Sequence, residues 1–137
     1  NGDIVRIFPG DSPEVFDKAP YGKIFLDGNI GVEEESKSIK ERRNISQNGH
    51  LNITVIITTQ GNIHNTPIVN FMGIPILNTE EFKMSIQDEI DKIAKSFSLN
   101  NKKQDENFKD ALKVTCRKFT KEKTGKRPIT NINLVRI

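Results

Sequence analysis

From His50 to Thr59 apolar and polar side chains alternate. Leu51, Ile53, Val55 and Ile57 share one side of an extended chain, and Asn52, Thr54, Ile56 and Thr58 share the other. That period predicts a half-buried strand. Gln60-Gly61-Asn62 supplies a turn, and a second strand over about Ile68 to Met72 is expected to return antiparallel to the first. The period then changes. Phe82, Ile86, Ile90, Ile93 and Phe97 recur at three- and four-residue steps behind Asn78, whose spacing to Glu81 is that of a capping box, so a helix is predicted here. Asn100 to Lys103 breaks it. A second helix carries Phe108, Ala111, Leu112, Thr115 and Phe119 on one stripe until Thr124-Gly125 caps it and Pro128 bars continuation. Ile129 to Ile137 closes the chain as a strand, with Ile132 and Leu134 on one face and Val135 and Ile137 on the other.

The first fifty residues are less regular. Ile4 to Phe8 predicts a short strand stopped by Pro9-Gly10. Asp11 to Pro20 is crowded with breakers and reads as a loop. Lys23 to Leu26 is extended and runs into the turn Asp27-Gly28-Asn29. Glu33-Glu34-Glu35 reads as a solvated linker, and Ser38 with Glu41 predicts a short helix over about 39–45, ended by Asn48-Gly49.

These elements specify an α+β fold. A small three-stranded sheet in β-β-α-α-β order has both helices on one face, preceded by an extended linker with a short helix. The two helices cannot cover every apolar strand residue. Ile56, Val69, Phe71, Val135 and Ile137 are therefore the candidates for an uncovered face that seeks a partner surface.

Composition narrows the function classes. Apolar residues make up 34% of 137, so the core is thin, and no uninterrupted apolar run exceeds three residues, as in Val55-Ile56-Ile57. A bilayer span needs about 20; no membrane partner is expected. The single cysteine, Cys116, excludes an internal disulfide framework and fits a reducing, cytoplasmic compartment. With no initiator Met and no signal-peptide pattern, the chain is expected to be an excerpt of a longer protein. The net charge of +3 is unevenly placed: residues 1–78 carry −2 and residues 79–137 carry +5. The densest run is Lys113, Arg117, Lys118, Lys121, Lys123, Lys126 and Arg127, opposed only by Glu122. Such a run admits two readings, a footprint for phosphates or cations that complement a helix C-terminus.

Catalytic chemistry is poorly supplied. Metal sites need several His, Cys, Asp or Glu side chains converging on one ion. His50 and His64 lie fourteen residues apart with a turn between them, and Cys116 has no partner cysteine. Cys116 also adjoins its helix's apolar stripe and reads as a buried thiol. No catalytic or metal-ligating residue is assigned, and no cofactor is expected in this stretch. Arg42-Arg43, about 100° apart on a short helix, can clamp phosphates in a groove or pair with the neighbouring glutamates.

Three phrases together resemble the C-terminal part of ribonuclease J. They are Asn1-Gly2-Asp3-Ile4-Val5, Ala19 to Gly28 (APYGKIFLDG), and Ile39 to His50 (IKERRNISQNGH). In that family a similar V-G-x-x-Y-x-D-G phrase precedes R-[DE]-R-R-x-L-S-x-x-G and a β-branched run. Ala111 to Phe119 followed by Thr124 to Ile129 is similar to the family's last helix and its K-[KR]-P step into a final strand. Asn44-Ile45 departs from the commoner Lys-Leu or His-Leu pair. The resemblance implies a parent enzyme of the metallo-β-lactamase, β-CASP class that processes and degrades RNA with two zinc ions. None of the family's His-x-His-x-Asp-His ligands occurs here. On this reading residues 1–20 end the catalytic core, 21–49 form the linker, and 50–137 form the C-terminal domain, which helps the family's enzymes assemble. The implied partners are the rest of the same polypeptide, further copies of it, and RNA through the parent. The alternative is an auxiliary RNA-binding module built on Arg42, Arg43, Lys118, Lys126 and Arg127.

Overall fold

Breaker residues cut the first forty residues into short extended pieces. In the computed structural model, which describes residues 1–137, these pieces form two hairpins within a compact unit, Asn1–Lys40. Strand β1 (Asp3–Arg6) pairs antiparallel with β2 (Glu14–Lys18), with a bulge between Ile4 and Val5. Strand β3 (Ile24–Asp27) pairs with β4 (Ile30–Glu33). The β2 strand corrects the expected loop over 11–20. Pro13 and Pro20 flank a breaker-free run, Glu14 to Lys18, which is long enough to pair. Likewise Glu33 belongs to β4 rather than to a solvated linker. Nothing in this unit is buried, and β1 and β2 are exposed throughout. The Arg6 guanidinium lies 4.4 Å from the Phe16 ring centroid, and its Nε donates to Glu14 Oε1 at 2.8 Å, fastening the first hairpin from outside.

Helix α1 (Lys37–Asn48) contains the division between the two units. It is longer than the 39–45 expected, because the carbonyl of Ser36 already accepts from the Lys40 N–H at 3.1 Å. Gly49 ends it as foreseen. Its N–H donates to Ile45 O at 2.7 Å, its φ is +79°, and a Cβ there would lie 2.6 Å from Ile74 Cγ1. Only glycine fits that turn.

The second unit, Glu41–Ile137, holds the core. Its sheet has the order β6-β5-β7, with β5 (His50–Ile57) central, antiparallel to β6 (Ile68–Met72) and parallel to β7 (Ile129–Arg136). Helices α2 (Thr79–Ala94) and α3 (Asp105–Thr124) cover one face. The alternation in β5 is borne out: Leu51, Ile53, Val55 and Ile57 are fully buried against Phe82, Ile86 and Ile90 of α2 and Phe108, Leu112 and Cys116 of α3. Asn78 Oδ1 accepts from the Glu81 N–H at 3.2 Å, the expected N-cap of α2, and Gly125 ends α3 in the left-handed region. Arg136 on β7 locks the far end. Its Nε donates to Asp105 Oδ2 at 2.9 Å and its Nη2 to Leu99 O at 2.9 Å, tying the strand to the loop that starts α3. That guanidinium holds the Asp105 carboxyl below the usual carboxylate range.

Candidate functional site

The sheet separates the residues that nucleophilic or metal chemistry would need together. Cys116 is buried on the helix side, where burial pushes its thiol pKa up to about 12, so little thiolate exists at neutral pH. His50 lies on the opposite face, its Nε2 at 3.2 Å from Asn131 Nδ2. His64 is exposed beyond β5, where its backbone N–H donates to Ile56 O. No group of three or more His, Cys, Asp or Glu side chains is placed to hold a metal ion. These residues do not fit a zinc site.

The uncovered sheet face is mixed. Along its middle run Asn52, Thr54, Asn131 and Asn133, joined by the Asn133 Nδ2 to Asn52 Oδ1 hydrogen bond of 3.1 Å. Apolar side chains sit around them. Ile56, Val135 and Ile137 lie toward one end, and Ile68 and Met72 lie on the β6 edge. Val69 and Phe71 are corrected here. Pairing of Val69 with Ile53 and Phe71 with Leu51 turns both toward the helices. Val69 is buried, and the Phe71 ring stands edge-on to Phe82 with centroids 5.4 Å apart. They are core residues, and the outward members of β6 are Ile68 and Met72.

The basic residues divide as well. Lys118 and Arg127 come together, with Val114, Arg117 and Lys121, around a shallow depression of about 370 Å³ on the outer side of α3. Lys126 turns away and donates through Nζ to Gln47 O at 2.7 Å, stitching β7's approach to the end of α1. Arg42 and Arg43 lie on α1, do not line the depression, and have partners of their own. Arg117 and Lys121 belong to the dense basic run but not to the five RNA-contact candidates, although their four-residue spacing on one helix places them side by side.

Comparison with known proteins decides the family. The Ribonuclease J C-terminal domain family matches residues 37–137. The chain belongs to that family. Ribonuclease J of Sinorhizobium meliloti is 27% identical over 139 residues, covering 100% of this chain and 24% of that protein. Ribonuclease J2 of Bacillus subtilis is 24% identical over 131 residues, covering 93% of this chain and 23% of that protein. The chain thus spans about a quarter of the length of these ribonuclease J relatives. The match begins in α1, close to where the second unit starts, and takes in the whole of the unit with the core. No helix of this C-terminal domain is long and apolar enough to cross a membrane.

Proposed function

We propose that this chain is the C-terminal assembly part of a cytoplasmic, ribonuclease J-like enzyme that processes and degrades RNA. The chain itself carries no catalytic group, and zinc and the cutting site belong to the parent outside this stretch. The observation that carries the assembly role is the set of apolar side chains on the sheet face opposite the helices. Met72 is 70% exposed, Ile137 56%, Ile68 52% and Val135 43%, and Ile56 is partly exposed. An apolar rim around a polar strip suits a second copy of the same face, where the strip is wetted and the rim is buried. The uncovered apolar side chains of the first unit, among them Phe8, Phe16, Ile24 and Leu26, support packing of residues 1–20 and the β3–β4 hairpin against the catalytic part of the same polypeptide.

Sedimentation velocity tests the reading. The chain is expected to show a concentration-dependent shift from monomer to dimer, and Val135→Glu with Met72→Glu is expected to hold it monomeric with unchanged circular dichroism. A monomer at every concentration, both for this chain and for the full-length parent, sinks the assembly role.

A further inference from the structure

We propose that the depression on the outer side of α3 docks the ribose-phosphate backbone of RNA, with Arg117, Lys118, Lys121 and Arg127 contacting phosphates. This goes beyond the assembly reading and does not rest on it. Four cations and one apolar residue, Val114, line the depression, and no carboxylate does. Arg117, Lys121 and Arg127 have no carboxylate within ion-pair distance; Lys118 has only a loose contact to Glu122 at 3.9 Å, with both side chains largely exposed. Elsewhere on the helices several lysines are matched, as in Lys92–Glu89 at 2.6 Å and Lys109–Glu106 at 2.7 Å, while Lys123 lies over the Phe119 ring, 5.7 Å from its centroid. The helix dipole accounts for little of the cluster. Its influence is confined to the last turn, which contains Lys121, whereas Arg117 and Lys118 lie upstream of it.

Like charges four residues apart repel, so Arg117 beside Lys121 is a destabilising pair unless an anion sits between them. The left-handed Gly125 turns the chain so that Arg127, from beyond the helix, joins the same cluster. Val114 is the single apolar residue there, too little for the anchored core of a protein interface. No aromatic platform or base-reading amide lines the depression either. Recognition is therefore of charge along a backbone, without base sequence or 2′-hydroxyl selectivity.

Fluorescence anisotropy of the 137-residue chain with a labelled oligouridylate tests this. Four contacts to a single strand give a slope of log K against log[salt] of about −2.8, so binding weakens about fifty-fold between about 0.05 and 0.2 M salt. Arg117→Gln with Lys121→Gln is expected to halve that slope and weaken low-salt binding about tenfold, whereas Arg117→Lys is expected to retain both. DNA of equal length should bind within about twofold of RNA. All four side chains are exposed, so the variants should melt like the wild type. An unchanged slope in the double variant, no binding at low salt, or a strong preference for RNA over DNA overturns the proposal. So does competition by polyglutamate as effective as RNA, which would assign the surface to an acidic protein. Sedimentation of the same variants should match the wild type, so failure here leaves the assembly role standing.

Discussion

Both units contain apolar strands, and those strands meet opposite fates. The second unit buries thirteen apolar residues around β5, while the first has four strands and not one buried side chain. Hydrophobicity alone does not explain the contrast, since the first unit is well supplied with Ile, Val and Phe. What it lacks is a second layer. Two-stranded hairpins have no helix or third strand to cover their apolar faces and are marginal alone in water, whereas β5 is flanked by two strands and capped by two helices. A strand's sequence states that it wants covering; only the elements around it state whether the cover is local.

The sharpest way to break this comparison is to remove one phenyl group from each unit. Phe108→Ala in the core is expected to cost about 3–5 kcal/mol in chemical denaturation, whereas Phe16→Ala should stay within about 0.5 kcal/mol. Equal losses would mean that the first unit has a core of its own. A smaller effect probes the junction at the start of β5. Gly49→Ala forces a Cβ onto Ile74 and a side chain into the left-handed region, at an expected cost of about 2–3 kcal/mol. A neutral result would show that this turn has slack.

The mildest test sharpens the far end of the same unit. Because Arg136 holds the folded-state pKa of Asp105 below its unfolded value, their pairing contributes fully above about pH 4 and is lost as pH falls through the lowered value. Asp105→Asn is expected to cost about 1–2 kcal/mol at neutral pH and to flatten the acid-side fall in stability, read from denaturation midpoints across pH. An unchanged pH profile would remove this pair from the account.

Much of the second unit was legible in its periodicity. The β5 alternation, the α2 stripe with its Asn78 cap, and the outward turn of Val135 on β7 all follow from side-chain spacing. The faces of β6 did not. Ile68-Val69 and Phe71-Met72 place apolar residues on both sides of the strand, and only the pairing register with β5 decides which side meets the helices. The β2 strand is masked in the sequence by Pro13 and Pro20, which bracket the clear run Glu14 to Lys18. The basic depression was half legible. The column Arg117–Lys121 is a matter of helical spacing, but the arrival of Arg127 beside it depends on a turn of the chain that linear order conceals.

The parallel pairing of β5 with β7 carries a consequence for synthesis on the ribosome. The central strand emerges early, yet one whole flank of its peptide groups waits for the strand made last among these elements. Until then Ile53, Val55 and Ile57 belong to a sheet with an open border, a template for mispairing between nascent chains. A product cut short before Ile129 never closes that border, which makes it sticky and an easy target for proteases.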